Sequence, residues 1–187
     1  EPGAGSDLRG MKATAVQDGS DWVLNGTKHF ISHADIADFA IVFMASGEED
    51  SPRGKRKKIT AFFVDKGTKG FTVRDGYRNV SHRGYTNAIL EFDDCRLPAS
   101  QVLGEVHRGF EVANSWLGAT RLQVGATCLG RAERALGHAI EYSAQRQQFG
   151  QQIGKFQGVS FKLADMATEL KAADLMVFEA GWKYDQG

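Results

Sequence analysis

The sequence predicts an α+β chain: an antiparallel β-sandwich or barrel over residues 1–100, then two long antiparallel helices over residues 101–187 that form half of a four-helix bundle. Three observations carry this reading. Short strand-like runs separated by turn residues fill the first hundred positions. Apolar residues then recur at helical spacing with no proline from about Arg108 to Gln147, and a second helical run extends to Gly187.

"MKATAV" alternates apolar and polar residues, and "DWVLNGTKHFIS" sets Asn25-Gly26 between two strand-like runs, which predicts a hairpin turn there. "DFAIVFMA" and "ITAFFVD" are apolar almost throughout and are expected in the core; "FTVRDG" and "NAILEFDDCRLP" complete the strands. Residues 46–58, "SGEEDSPRGKRKK", pass from an acidic to a basic half and read as an exposed, solvated loop. Beyond Pro98, apolar residues recur at helical spacing, among them Phe110, Trp116, Leu117, Val124, Leu129, Leu136 and Ile140. Forty residues at helical rise span ~60 Å, which suits a bundle helix that reaches a neighbour. "FGQQIGKFQG" interrupts the pattern before the second helix.

Composition narrows the function classes. The 23 Lys and Arg balance the 23 Asp and Glu, so no global field draws in nucleic acid or an anionic membrane. Cys95 and Cys128 are far apart and lack metal-ligand spacing, which argues against a disulfide framework or zinc site and for a reducing compartment. No apolar run approaches the ~20 residues of a membrane span. His33, His82 and His107 have no metal-ligand spacing and read as ordinary polar positions, and no metal site is expected. The chain starts with neither an initiator Met nor a targeting segment, and it reads as cut at both ends. Its first residues, "EPGAGSD", make an exposed turn of backbone N–H groups suited to a polar or anionic ligand, with Gly3 and Gly5 permitting close backbone approach.

Four stretches in order, "EPGAGSD", "NGTKHFIS", "FDDCRLP" and "RQQFGQQIGKFQ", resemble the acyl-CoA dehydrogenase family, and together they cover nearly the whole chain. The resemblance implies the family's middle β domain plus the first two helices of its C-terminal bundle, FAD as cofactor and an acyl-CoA substrate. It places Glu1, Pro2, Gly3, Ala4, Gly5 and Ser6 against the flavin, with Ser6 also near the acyl-CoA. Phe30, where a Trp is common, and Ile31 would lie by the isoalloxazine ring, and Ser32 would hydrogen-bond flavin N5. Gly118, Ala119, Thr120 and Arg121 would contact the CoA thioester; some members carry Asp at the position of Gly118. Arg146, Gln147, Gln148, Phe149, Phe156 and Gln157 would reach the pyrophosphate and adenine of a neighbouring subunit's FAD. In preference to a contact with the 3′-phosphate of CoA, the basic run Lys55 to Lys58 is read as a solvated loop.

The implied reaction is α,β-dehydrogenation: a glutamate removes the α-proton while the β-hydrogen leaves as hydride to flavin N5. Branched- and long-chain members carry that glutamate at the position of Thr120, and the family's other location for it lies beyond Gly187. No residue of this chain is therefore expected to be the base, and the chain alone is expected to have little or no turnover. The resemblance further implies an electron-transferring flavoprotein as acceptor, a homo-oligomer (dimer or tetramer), and a bacterial cytoplasmic or mitochondrial matrix location. Two other readings stand beside it: an acyl-CoA oxidase-like flavoenzyme, and a non-catalytic binding or assembly module on the same fold.

Overall fold

The computed structural model describes residues 1–52, 54–81 and 83–187, and of Arg9 only the backbone. His82, read above as a polar position, and Arg53, within the expected loop, lie outside the described residues. The chain divides into two compact units, residues 1–115 and 116–187.

The first unit is one curled, mixed seven-stranded sheet. Its strands are β1 (Thr14–Asp18), β2 (Asp21–Ser32), β3 (Phe39–Ser51), β4 (Gly54–Asp65), β5 (Phe71–Tyr77), β6 (Asn87–Pro98) and the short β7 (Val102–Leu103). The spatial order is β5-β6-β2-β1-β3-β4-β7. All neighbours are antiparallel except β1 and β3, which meet in parallel at Thr14 and Ala45. The α+β class and the strand runs follow the sequence, with this one parallel junction added.

The core is built from inward-facing alternate residues, among them Trp22, Leu24, Met44, Phe62, Val64, Leu90, Cys95 and Leu97. Trp22 and Phe62 meet edge-on with ring centroids 5.5 Å apart. Burying each such large side chain contributes roughly 1.5–3 kcal/mol, so these residues set which way their own strands face.

Three expectations are corrected here. Asn25-Gly26 is not a hairpin turn: β2 runs straight through it, and the β1–β2 turn is Gly19–Ser20, where Gly19 has φ 64°. The pair instead faces a bulge in β6, where Asp93 and Asp94 together oppose Asn25. The Asn25 side chain accepts from the Asp94 N–H at 2.9 Å and donates to its carboxylate at 3.1 Å. Gly26 is required by contact, because a Cβ there would lie 2.6 Å from the Ala13 Cβ.

Residues 46–58 are not a loop either, since β3 and β4 continue as a ribbon that turns between Ser51 and Gly54. The switch from acidic to basic halves is the cross-strand pairing itself, with Glu48 opposite Lys57, Glu49 opposite Arg56 and Asp50 opposite Lys55. Finally, β3 is not buried throughout. Phe39 and Ile41 are about half exposed on its outer face, where Phe39 stacks on Phe63 at 4.4 Å.

The second unit holds most of α1 (Gly109–Gln145), a miniature hairpin of β8 (Gln147–Gln148) and β9 (Gln151–Gln152), and α2 (Gln157–Gln186). Gly118 faces Tyr184, Leu122 faces Gly181 and Gly125 faces Val177, so the helices run antiparallel. Neither carries a fully apolar buried stripe, and α2 has no buried residue. Among the described residues, no helix is long and apolar enough to cross a membrane.

Gly26→Ala tests the β-sheet account. It forces a Cβ into the Ala13 backbone at φ 130°, and the expected loss is about 3 kcal/mol in urea unfolding.

Candidate functional site

The glycine-rich turn is anchored by its own first side chain. The Glu1 carboxylate accepts from the Lys12 N–H at 2.6 Å and from the Ala13 N–H at 3.3 Å, and pairs with the Lys28 ammonium at 2.5 Å. Both charged side chains are nearly buried, at 7% exposure for Glu1 and 11% for Lys28. These contacts tie the turn to the entry of β1 and to the middle of β2. Burial works to raise the Glu1 pKa, but the two amides and Lys28 outweigh it and hold the group below the ordinary carboxylate range. Burial pulls Lys28 below its usual value, with Glu1 opposing the shift. With its carboxylate engaged by the chain itself, Glu1 shapes the loop, while Gly3 and Gly5 have open space where a Cβ would be.

The end of β2 is irregular in a way that exposes side chains. Between Lys28 and Ile31 the strand carries one extra residue relative to β6, and Phe30 takes a left-handed φ of 57°. On the other side of β6, β5 also carries an extra residue between Arg74 and Tyr77. Gly76 makes that second bulge possible, since a Cβ there would lie 1.7 Å from the Asn87 carbonyl oxygen. The paired bulges bring Phe30 and Tyr77 face to face, stacked at 4.1 Å and 14°. His29 Nδ1 lies 3.1 Å from the Tyr77 hydroxyl, and the Ser32 hydroxyl shares a hydrogen bond with that of Tyr85. Phe30 is 54% exposed and Ser32 is exposed, so the strand ends in a flat aromatic surface beside a hydroxyl.

A separate cavity of about 600 Å³ lies in the same unit, with Ser6 and Asp7 on one wall and Arg56, Lys57, Lys58, His107 and Arg108 on the others. Lys57 donates to the Met11 carbonyl oxygen. Arg56 lies 3.8 Å from Glu49, and Arg108 pairs with Glu111 at 2.7 Å and Glu105 at 3.3 Å. Lys58 is half-buried and makes no ion pair among the described residues. His107, at φ 67°, donates its backbone N–H to the buried Thr60 hydroxyl at 2.8 Å, and its Nδ1 lies 2.9 Å from the Ser46 hydroxyl. The sequence reading missed the basic run as a cavity wall, along with His107, Tyr77 and Tyr85. Only the acidic-to-basic switch at 46–58 signalled any of these, through the ribbon that aligns the cations.

In the second unit, Gly118, Ala119, Thr120 and Arg121 sit on α1. The Thr120 hydroxyl donates back to the Trp116 carbonyl at 3.1 Å, and Arg121 is exposed. Arg146 follows α1, and Gln147 and Gln148 form β8. Phe149 (φ 51°) and Gly150 (φ 76°) make the two-residue turn to β9, both left-handed as such a hairpin needs. Phe149 is 94% exposed, with its ring edge-on to Phe156 at 6.2 Å. Phe156 precedes α2, which opens with Gln157. The turn therefore presents Arg146, Gln148 and Phe149 outward from the helix ends. Among the described residues, no group of three His, Cys, Asp or Glu side chains is arranged to hold a metal.

An aromatic face beside a hydroxyl suits a planar heteroaromatic ligand, and the cationic cavity next to Ser6 suits a polyanionic one. This pairing agrees with what the chain is similar to. Residues 1–95 match the model for the acyl-CoA dehydrogenase middle domain, and residues 107–187 match that for the acyl-CoA dehydrogenase C-terminal domain. An acyl-CoA dehydrogenase of Bacillus subtilis (strain 168) is 39% identical over 187 residues, all of this chain and 48% of the relative. The CarC subunit of the caffeyl-CoA reductase–Etf complex of Acetobacterium woodii is 39% identical over 180 residues, 96% of this chain and 46% of the relative. A solved FAD complex of PigA superposes with a TM-score of 0.90 at 34% identity, covering 100% of this chain and 48% of that one. The chain belongs to the acyl-CoA dehydrogenase family of flavoprotein oxidoreductases. It spans about half the length of the curated relatives it matches.

The anchored turn predicts a pH dependence. Because the Glu1 pKa is lowered on folding, its contribution is complete above the ordinary carboxylate range and is lost as pH falls through its depressed value. In urea unfolding between pH 7 and pH 3, Glu1→Gln removes that part of the acid limb. At pH 7, Lys28→Met leaves the carboxylate buried without its cation and costs about 3 kcal/mol.

Proposed function

We propose that this chain supplies the flavin-facing wall and the CoA-facing cavity of an FAD-dependent acyl-CoA dehydrogenase. The observation that carries the reading is the cavity in which Ser6 of the glycine turn meets Arg56, Lys57, Lys58 and Arg108. A phosphorylated carrier such as the adenosine end of a CoA thioester needs such a set of cations, and the half-buried Lys58, with no ion pair among the described residues, has its charge available for it.

The residues at the end of β2 fit an isoalloxazine ring. Phe30 and Tyr77 offer an exposed stacked aromatic face, and Ser32 offers a hydroxyl at its edge. FAD, when bound, supplies the hydride acceptor for the Cβ–H of the acyl chain. Glu1, Pro2, Gly3, Ala4, Gly5, Ser6, Phe30, Ile31 and Ser32 then line the flavin, with Ser6 also directed to the thioester. Gly118, Ala119, Thr120 and Arg121 contact the CoA arm. Arg146, Gln147, Gln148, Phe149, Phe156 and Gln157 present a guanidinium, amides and rings to the FAD pyrophosphate and adenine of a second subunit in a homodimer or homotetramer, and the exposure of Phe149 and Arg146 supports this. As the family resemblance implies, the base that removes the α-proton is a glutamate outside residues 1–187; Thr120, at one of that base's family positions, cannot accept a proton from carbon at neutral pH. An electron-transferring flavoprotein is the acceptor, a reading supported by the Etf complex to which the CarC relative belongs. The 187 residues alone have little or no turnover.

Lys58→Glu provides the test. Charge reversal at a half-buried cation is expected to weaken CoA binding about tenfold by isothermal calorimetry, and added salt is expected to weaken the parent in the same direction. In the full-length protein, anaerobic mixing with acyl-CoA is expected to bleach the flavin absorbance. CoA affinity indifferent to both charge and salt, or flavin that no acyl-CoA bleaches, overturns the reading.

A further inference from the structure

We propose that Tyr85 is the positioning residue for the Ser32 hydroxyl, and thereby tunes the electron affinity of the ring that this hydroxyl faces. The inference rests on the flavin reading of Ser32 and goes beyond it by assigning a role to a residue no motif singles out. Ser32 and Tyr85 share a hydrogen bond between their hydroxyls. The phenol is the more acidic of the two and the better donor, so it gives its proton to Ser32 Oγ. The serine proton is then left for a second partner. A serine that accepts while it donates is polarised and becomes a stronger donor than one whose hydroxyl turns freely.

Tyr85 is itself packed against a neighbour. Its ring meets that of His33 edge-on, with centroids 4.5 Å apart. Immediately beside it, the His33 N–H donates to the Thr86 carbonyl at 2.9 Å, and Ser32 pairs with Asn87 across β2 and β6. The Ser32 side chain is exposed, whereas Tyr85 is half-buried, so the more enclosed member of the pair orients the more open one. When bound FAD is reduced, electron density rises at the ring edge facing Ser32. A better-held donor there favours the reduced form.

The test compares parent, Tyr85→Phe, Ser32→Ala and the double variant of the FAD-loaded protein by equilibrium redox titration. Tyr85→Phe keeps the ring against His33 and removes only the hydroxyl. The expected result is about a tenfold loss of preference for the reduced form, ~30 mV more negative for a two-electron couple. In the Ser32→Ala background, Tyr85→Phe is expected to add nothing. A shift from Ser32→Ala without one from Tyr85→Phe overturns the role of Tyr85 and leaves the flavin reading standing. No shift from Ser32→Ala overturns both. The FAD-free protein gives a second readout: with ¹³C-labelled tyrosine, the Cζ resonance of Tyr85 is expected to move on Ser32→Ala, and a fixed resonance overturns the proposal.

Discussion

The buried pairing of Glu1 with Lys28, completed by the Lys12 and Ala13 amides, is the constraint on which the geometry of the site depends. A glycine-rich turn has little conformational preference of its own, and its usefulness as a ligand cradle requires an external restraint. The carboxylate provides one by docking on two strands at once. Through β2 the restraint extends along the same strand that ends in Phe30 and Ser32, so the turn and the aromatic edge are referenced to one piece of backbone. Through the Lys12 and Ala13 amides it reaches the entry of β1, where Gly26 closes on Ala13. Burying two charges is expensive unless they are partnered; here the carboxylate takes Lys28 and two amides, and the ammonium takes Glu1. That makes it a precise support and also a sensitive one.

Around this anchor the sheet uses irregularity to present chemistry. Regular β-structure would bury one face of β2 and solvate the other, leaving no flat apolar surface at its end. The extra residues in β2 and β5, on opposite sides of β6, rotate Phe30 and Tyr77 out of the ladder and against each other. The left-handed backbone at Phe30 and His107 is a local cost, held in place by the Phe30–Tyr77 stack and by the His107 N–H bond to Thr60. Both residues lie at the edges of the surfaces assigned to ligands. The β3–β4 ribbon follows the same logic, since cross-strand pairing of acids and bases orders cations that would otherwise be solvated into the wall of a cavity.

Much of this could be read from the residues, and the remainder has physical reasons for being hidden. The strand runs were legible because burial imposes a period of two on apolar side chains, and the helices because apolar residues recur at helical spacing without an intervening proline. Asn25-Gly26 was misread because tolerance of unusual backbone serves a turn and a close strand crossing equally well. Only Ala13, distant in sequence, distinguishes the two. Residues 46–58 were misread because a charge run looks the same whether it faces water or an opposite run. Phe30 and Ser32 were legible through a motif, whereas Tyr77 and Tyr85 acquire meaning from the registers of β5 and β6, which no local window contains. The Glu1–Lys28 pair is of the same kind, a contact across 27 residues fixed by the sheet.

Amide hydrogen exchange at Lys12 and Ala13 in the ligand-free protein reports directly on the Glu1 anchor. Strong protection of both amides is expected at neutral pH and its loss in Lys28→Met, with the β6 core amides still protected. Exchange of Lys12 and Ala13 at open-loop rates in the parent, or protection indifferent to Lys28, would contradict it.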